Sequence, residues 1–255
     1  MTRHFHKPFL IALLLFASMV SFAQPKKKIV AKKTTTTSAK APAVQSSISE
    51  PWKQLNTKEK LVEITTDYGV MIARLYDSTP LHRDNFVKLV QQHFYDSLLF
   101  HRVIDGFMIQ GGDPTSKNAP DGVALGSGSA PGDRIPAEFR PMFIHKKGAL
   151  AAARDNNPEK ASSNCQFYVV QGKPLPDQEM NNQADRVKSA NPSFAYTKAQ
   201  KEIYTRIGGT PFLDQSYTVF GEVISGLDVI DKIAKAPKQG ERPMPNILMK
   251  IRLLN

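Results

Sequence analysis

Cysteine and tryptophan are nearly absent from this chain of 255 residues, which contains one of each. A single cysteine, Cys165, cannot form an internal disulfide, so the folded part must be stabilised by a hydrophobic core. The roughly 200 residues that follow position 50 are enough to form such a core as one domain. We interpret Cys165 as a small buried hydrophobic side chain rather than a nucleophile or a metal ligand.

The chain also lacks an apolar run of the ~20 residues that a transmembrane helix requires. Its longest apolar stretch, from Phe9 to Phe22, follows the basic residues Arg3 and Lys7 and ends in small residues around Ala23. This order is typical of a secretory signal peptide over residues 1–23. We predict cleavage near Ala23/Gln24, export to the periplasm or the medium, and no transmembrane segment after cleavage.

Residues 24–50 contain six lysines and a run of four threonines but few large apolar side chains. Such a composition cannot bury enough surface to offset its ordering entropy, so it predicts a flexible linker. The first 50 residues also carry most of the formal net charge of +11. The net positive charge of the chain therefore does not indicate nucleic-acid binding. An alternative role for the linker is to hold the protein at an anionic envelope surface.

Motifs of metal-dependent and nucleophilic enzymes are missing too. The six histidines form neither an HExxH pattern nor a zinc spacing with Cys165. GxSxG is absent, and Gly126-Ser127-Gly128-Ser129 lacks the lysine-serine ending of a phosphate-binding loop. We therefore expect no metal and no cofactor.

What dominates residues 51–255 is a series of short β-like segments separated by Gly, Pro and Asp, which predicts a sandwich or a barrel. A helix is predicted to begin at Pro80 with Thr79 as its N-cap, and another over residues 227–235. The predicted strands cover residues 61–65, 70–75, 98–103, 107–110, 135–139, 149–152, 166–170, 217–223 and 249–253.

Residues 173–209 interrupt this strand pattern with two helical segments. Apolar residues recur at helical spacing around Met180, and Thr197-Lys198-Ala199-Gln200 is typical of a capping box. Gly208-Gly209 would end the second helix. The segment is too short for a core of its own, so we interpret it as a helical insertion in a single domain spanning residues 51–255.

Phe100–Pro114, which reads FHRVIDGFMIQGGDP, combines one arginine with an apolar pair and an amide. Arg102 precedes Phe107-Met108, and Gln110 follows. A fixed cation beside an apolar surface suits a neutral, apolar ligand with a backbone to hydrogen-bond. This stretch, with residues 150–154, 163–168, 211–214 and 217–221 in the same order, resembles the signature blocks of the cyclophilin-type peptidyl-prolyl cis/trans isomerases.

The resemblance runs over about residues 60–253 and implies a closed antiparallel β-barrel capped by two helices, with the helical insertion added. It implies isomerisation of X–Pro bonds without a cofactor, with Arg102 as the catalytic residue. The implied substrate-binding residues are Phe107, Met108, Gln110, Ala153, Arg154, Gln166, Tyr168, Phe212, Leu213 and Tyr217. Three of them depart from the best-known eukaryotic pattern, where asparagine, tryptophan and histidine stand in place of Arg154, Phe212 and Tyr217.

The expected partners are proline-containing unfolded or flexible polypeptides, in particular newly exported ones, and we expect a monomer. The alternative is a chaperone or binding module on the same fold, in which residues 173–209 contact a partner. Capping of the barrel is the other interpretation of that insertion.

Overall fold

The computed structural model describes residues 58–255, so the predicted signal peptide and linker lie outside the described residues. The strands are β1 (Leu61–Thr66), β2 (Gly69–Leu75), β3 (Leu98–Leu99), β4 (Arg102–Ile104), β5 (Met108–Gly111), β6 (Ala149–Ala152), β7 (Phe167–Val170), β8 (Val219–Ser225), β9 (Lys238–Gln239), β10 (Arg242–Pro243) and β11 (Leu248–Leu253). The helices are α1 (Pro80–Gln91), α2 (Asp177–Ala190), α3 (Lys198–Arg206) and α4 (Leu227–Ala234). None of these four helices is long and apolar enough to cross a membrane.

Nine strands form one curled antiparallel sheet in the order β3-β11-β1-β2-β8-β6-β7-β5-β4. The expected closure of the barrel is not confirmed, because no ladder within residues 58–255 pairs β3 with β4. These two end strands instead belong to one chain segment and are separated only by Phe100-His101. The sheet is therefore a half-barrel whose two edges are joined by the covalent chain, and the strand predicted over residues 98–103 is broken in the middle.

Successive side chains of a strand point to opposite faces of the sheet, and the two faces have different surroundings. In β7, Phe167 and Val169 belong to the main core, whereas Tyr168 and Val170 belong to a second cluster on the outer face. The main core also takes in the buried sides of α1 and α4, which are the two capping helices. The inner face thus stabilises the fold, and the outer face of β5, β7 and β6 is left for a site.

A distant carboxylate, rather than Thr79, caps the N-terminus of α1. Pro80 begins the helix as predicted, but the Thr79 side chain makes no capping hydrogen bond. Glu138 instead accepts hydrogen bonds from the backbone N–H groups of Leu81 and His82, at 3.2 and 3.0 Å. The cap therefore comes from a segment some 57 residues further along the chain.

The strand predicted over residues 135–139 is wrong. Ile135 makes one isolated bridge to Ser162, and no ladder follows it. The segment instead places Glu138 against the start of α1, so its backbone does not continue along the sheet. The hairpin of β1 and β2, and the strands β6, β7, β8 and β11, are confirmed with boundaries shifted by at most two residues.

The two helices predicted in residues 173–209 are confirmed as α2 and α3. The capping box is present, with the Thr197 side chain accepting from the Gln200 backbone and the Gln200 side chain accepting from Thr197. Met180 of α2 and Tyr204 of α3 form a small hydrophobic cluster with Ile144, which lies outside the insertion. The insertion is therefore attached by its buried side to the segment that leads into β6.

Candidate active site

The register of four strands lines up a cation, an amide and a phenol on the outer face of the sheet. Arg102 in β4 lies opposite Gln110 in β5, and Gln110 lies opposite Tyr168 in β7. Tyr168 in turn lies opposite Ala151 in β6. Side chains opposite each other on antiparallel strands are close neighbours, ~5 Å apart at Cβ.

A pocket of about 100 Å³ opens along this row, and the segment that contains Leu213 and Tyr217 forms its opposite side. Nine predicted site residues line it, namely Arg102, Phe107, Met108, Gln110, Ala153, Arg154, Tyr168, Leu213 and Tyr217. Gln166 lies in an adjoining cavity of about 650 Å³, which shares Gln110, Ala153 and Arg154 with the pocket. Phe212 stays outside at the rim, exposed, with its ring centroid 5.6 Å from that of Phe107.

Arg102 is held at the mouth of the pocket by two acceptors. Its Nε donates to Oε2 of Glu241 at 2.6 Å, and its Nη1 donates to Oε1 of Gln110 at 3.3 Å. The Arg102 side chain remains 39% exposed and that of Glu241 53% exposed. These contacts use two of the five N–H donors of a guanidinium, so donors remain for a ligand.

A chain of amides sets the orientation of Gln110. Nε2 of Gln166 donates to the backbone carbonyls of Gly126 and Gly128, at 2.9 and 2.8 Å. Oε1 of Gln166 therefore faces Gln110 and accepts from its Nε2 at 3.1 Å. This leaves Oε1 of Gln110 directed to Arg102, so the hydrogen bonds alone fix which way both amides point.

The apolar side of the pocket depends on a turn that presents Phe107. Oε1 of Gln171 accepts from the Gly106 backbone N–H at 2.6 Å. The carbonyl of Phe107 accepts from the backbone N–H groups of Gln171 and Gly172 at 2.9 and 3.0 Å. Gln171 is itself buried, so the Phe107 turn is anchored to the end of β7 by three hydrogen bonds.

The Tyr168 wall is held from behind by buried polar groups. The Tyr168 hydroxyl lies 2.9 Å from Nε2 of His145, and Nδ1 of His145 lies 2.6 Å from Oδ1 of Asp214. Burial raises the pKa of Tyr168 well above its ordinary value, and the nearby Tyr217 and Asp214 act in the same direction. Tyr168 therefore keeps its proton and serves as a hydrogen-bonded wall rather than as an acid or base.

Arg154 and Tyr217 form the remaining rim as a stacked pair. The guanidinium carbon of Arg154 lies 4.5 Å from the centre of the Tyr217 ring. Nε of Arg154 donates to the carbonyl of Ser216 at 2.9 Å, which holds the stack in place. The Arg154 side chain thus packs along the pocket.

The arrangement suits positioning and hydrogen bonding better than covalent chemistry. The nine lining residues include no serine, threonine, cysteine, histidine or carboxylate. Cys165 lies in the main core, where burial raises the pKa of its thiol and disfavours the nucleophilic thiolate. Among residues 58–255, no group of three or more His, Cys, Asp or Glu side chains is placed to hold a metal ion.

Four residues that contact the predicted set were not predicted. Glu241 comes from the β9–β10 hairpin, and His145, Asp214 and Gln171 act from behind the pocket. No spacing in the sequence connects them with Arg102. Asp214, directly after Leu213, is the one whose position next to a predicted residue could have identified it.

Comparison with known proteins gives one family for most of the chain. The family model described as "Cyclophilin type peptidyl-prolyl cis-trans isomerase/CLD" matches residues 61–252. A Staphylococcus epidermidis protein named "Putative peptidyl-prolyl cis-trans isomerase" is 34% identical over 194 residues, which is 76% of this chain and 89% of the relative. A protein of the same name from Staphylococcus aureus is 33% identical over 194 residues, with the same coverage.

Solved structures show the same fold. A cyclophilin-type peptidyl-prolyl cis-trans isomerase from Cryptosporidium parvum superposes with a TM-score of 0.53 at 23% identity, covering 77% of this chain and 98% of that one. A second crystal structure of that protein, in the presence of the dipeptide Ala-Pro, gives a TM-score of 0.52 at 24% identity, with 76% and 99% coverage.

Proposed function

Since the chain belongs to the cyclophilin-type peptidyl-prolyl cis-trans isomerase family, we propose that Arg102 assists the twisting of X–Pro bonds held in the outer-face pocket. The observation that carries this proposal is the position of the guanidinium, which lies beside Gln110 at the mouth of a small pocket that Phe107, Met108 and Leu213 help to line. The pocket and the guanidinium are both needed, because the pocket must hold the proline ring while the guanidinium acts on the peptide bond that precedes it.

The reaction requires only a lower rotational barrier. Amide resonance raises that barrier to ~18–20 kcal/mol, while the two isomers of an X–Pro bond differ by only about 0.5–1 kcal/mol. In the twisted transition state the proline nitrogen regains its lone pair. A hydrogen-bond donor aimed at that nitrogen is useful there and of little use in the planar ground state. Such a donor raises the rate by binding the transition state more tightly than the substrate.

Arg102 has the properties that this donor needs. Its guanidinium stays protonated, and its planar fork can meet a substrate carbonyl as well as the nitrogen. Glu241 holds Nε and Gln110 holds Nη1, so the group is oriented before a substrate binds. Preorganised donors of this kind typically contribute ~10²–10³-fold to a rate.

The remaining residues hold the substrate without reading its side chains. Phe107, Met108 and Leu213 offer an apolar surface to the pyrrolidine ring. Gln110 can hydrogen-bond a backbone group while its orientation stays fixed by Gln166. We therefore assign the substrate class as X–Pro segments of many sequences in unfolded or flexible polypeptides, with no covalent intermediate.

The test of this function is a protease-coupled assay on an X–Pro peptide with the wild-type protein and Arg102→Ala. We expect kcat/KM to fall roughly 100-fold or more, since one transition-state donor is lost. Arg252→Ala is the matched control, because it removes another exposed arginine that is paired with a carboxylate, Glu63. Arginine assistance is wrong if Arg102→Ala retains the rate of Arg252→Ala.

The place of action that we propose is outside the cytoplasm, on newly exported proteins. The support is the signal-peptide pattern of residues 1–23, together with the slowness of uncatalysed X–Pro isomerisation, which takes tens of seconds. Expression of the full chain followed by mass spectrometry of its N-terminus tests this. A mature protein that begins at or near Gln24 is the expected result, and an intact Met1 terminus in the cell lysate would exclude cleavage.

For the alternative role as a binding module, the contacts of the insertion matter. Its apolar residues Met180 and Tyr204 are buried against Ile144, which favours capping over display of an apolar face to a partner. These contacts support an insertion that belongs to the domain.

A further inference from the structure

We infer that the insertion completes the substrate pocket of this enzyme. In this view Asp214 is a positioning residue for Tyr168 and Leu213, and the hydroxyl groups of Tyr196 and Tyr204 hold Asp214. The inference rests on the proposed function only in taking the Arg102 pocket as the isomerase site. It assigns a role to the insertion that neither a cap nor a partner-binding module would require.

Asp214 is the centre of a hydrogen-bond network that reaches from the pocket to α3. Its Oδ1 accepts from the backbone N–H of His145 at 2.8 Å and lies 2.6 Å from Nδ1 of that residue. Its Oδ2 accepts from the hydroxyl groups of Tyr196 at 2.6 Å and Tyr204 at 2.5 Å. On the far side, Nε2 of His145 lies 2.9 Å from the Tyr168 hydroxyl. One continuous path therefore connects the insertion with a lining residue of the pocket.

Burial makes this network stiff. Asp214, His145, Tyr204 and Tyr168 are all buried, at 1%, 0%, 0% and 4% exposed. A buried carboxylate is costly unless donors satisfy its lone pairs, and here four donors do so. Two of the four come from tyrosines at residues 196 and 204. The two tyrosines therefore satisfy one complete oxygen of the carboxylate.

The path also has a direction. The Asp214 carboxylate can only accept, which assigns the N–H to Nδ1 of His145. In that tautomer Nε2 is an acceptor, and the Tyr168 hydroxyl donates to it. Burial raises the pKa of Tyr168, and burial likewise raises the pKa of Tyr204, so both phenols keep the protons that the path requires. The orientation of the Tyr168 hydroxyl is therefore determined by Asp214 through His145.

Asp214 controls the opposite side of the pocket through the backbone. It directly follows Leu213, and its N–H donates to the carbonyl of Pro211 at 3.0 Å. The Leu213 carbonyl accepts from the N–H of Tyr217 at 3.1 Å. A shift of the carboxylate therefore moves Leu213 and Tyr217 on one side of the pocket while it releases Tyr168 on the other.

The turn that follows α3 packs closely against His145. The backbone of Gly209 lies so close to His145 that a Cβ added there would be 2.2 Å from the His145 carbonyl oxygen and 2.6 Å from Cε1 of Tyr204. Only glycine fits at this contact, where φ is +152°. Tyr204, which belongs to the network, thus lies only a few residues before the segment that contains Leu213 and Tyr217.

The decisive variant is the double substitution Tyr196→Phe with Tyr204→Phe, which removes two hydroxyl groups and keeps both rings. We expect kcat/KM for an X–Pro peptide to fall about tenfold, mainly through KM, because hydrogen bonds to a buried charge contribute on that scale. The matched control is Tyr95→Phe. Tyr95 is as buried as Tyr204, and its hydroxyl donates to the Cys165 carbonyl at 3.1 Å, outside the network. This control should lower the melting temperature and leave kcat/KM unchanged.

A double-mutant cycle separates positioning from general destabilisation. If the tyrosines act through Tyr168, the double variant should lose much less activity in a Tyr168→Phe background than in the wild type. The proton resonance of the His145 imidazole should also shift in the double variant and stay in place in Tyr95→Phe. Full additivity in the cycle, or a double variant as active as Tyr95→Phe, would overturn the inference.

The inference can fail independently of the arginine mechanism. Peptide affinity, measured by titration in an Arg102→Ala background, reports on the pocket even when turnover is lost. A tenfold weaker affinity after the two tyrosine substitutions in that background supports the positioning role. An unchanged affinity refutes it, whatever the assay of Arg102→Ala shows about catalysis.

Discussion

On one side of the pocket, the Arg102 rim (Arg102, Gln110 and Glu241) keeps its charged side chains 39% and 53% exposed. On the other side, the buried wall (Tyr168, His145 and Asp214) contains a hydrogen-bonded imidazole–carboxylate pair whose side chains are 1% and 0% exposed. Both sides use a cationic or imidazole group next to a carboxylate. They differ in whether water can reach that pair.

The difference corresponds to what each side must do. In the proposed mechanism, the Arg102 rim meets a group that develops only in the transition state, so its donors must remain accessible to a substrate. The buried wall has to present the same shape to every substrate, so its polar groups are satisfied inside the protein. Substitutions on the rim should therefore change the rate without changing stability, whereas substitutions in the wall should change both.

The largest expected effect is that of Asp214→Ala in the buried wall. It leaves four donors without an acceptor, and each buried donor left unsatisfied typically costs about 1–3 kcal/mol of unfolding free energy. Urea unfolding measures this. Asp228→Ala is the control, because it removes an exposed carboxylate paired with Lys232 and should leave the unfolding midpoint unchanged. If the two variants unfold at the same urea concentration, the buried wall does not contribute more to stability than an exposed ion pair does.

A smaller effect is expected for Glu241→Ala on the rim. The guanidinium loses the acceptor at Nε, and exposed ion pairs contribute ~0.2–1 kcal/mol, so kcat should fall by up to about fivefold with little change in melting temperature. The loss should be smaller at high salt, since salt weakens the pair in the wild type. Glu202→Ala, which removes an exposed carboxylate of α3, is the control and should retain full activity.

The smallest effect at neutral pH is expected for Asp113. Its carboxylate accepts from the backbone of Gly126, whose carbonyl in turn accepts from Gln166. Burial tends to raise the pKa of Asp113, but hydrogen bonds from Thr115 and from the Gly126 backbone N–H outweigh it and hold the pKa below its ordinary value. The charged form therefore stabilises the fold above the unfolded pKa of about 3.9, and this contribution is lost as pH falls through the lower folded value.

Melting temperatures of the wild type and Asp113→Asn between pH 7 and about 2 test this acid dependence. The wild type should lose stability more steeply below ~pH 4 than the variant does, because the variant has no proton to take up at this position. Parallel curves would show that other carboxylates, rather than Asp113, account for the acid sensitivity.

Much of the pocket could be predicted from the sequence, because its residues occur in short blocks whose order is itself informative. Arg102, Phe107, Met108 and Gln110 share one block, and the structure brings them together across β4 and β5. The polar groups that hold them could not be predicted in the same way. Glu241 meets Arg102 across 139 positions, and nothing local in the sequence marks such a pairing.

The errors in the predicted fold also arise from contacts between residues that are distant in the sequence. Thr79 has the residue type of an N-cap, but Glu138 reaches the same N–H groups from a distant segment and takes its place. Residues 135–139 have the pattern of a strand, yet tertiary contacts draw them away from the sheet. Local preference predicts well where the chain contacts its own neighbours, as in the capping box of α3. It fails where a remote carboxylate supplies the hydrogen bond.

The passage of the chain from β3 directly into β4 has a consequence for self-association. The two terminal strands of the sheet contain only two and three residues. Their backbone groups are also used locally, since the N–H of Leu99 donates to the Ser116 hydroxyl and that of Val103 donates to the Glu241 carbonyl. Short, satisfied edges give an incoming extended polypeptide little to pair with. The sheet therefore offers little edge for pairing with a second copy of the chain.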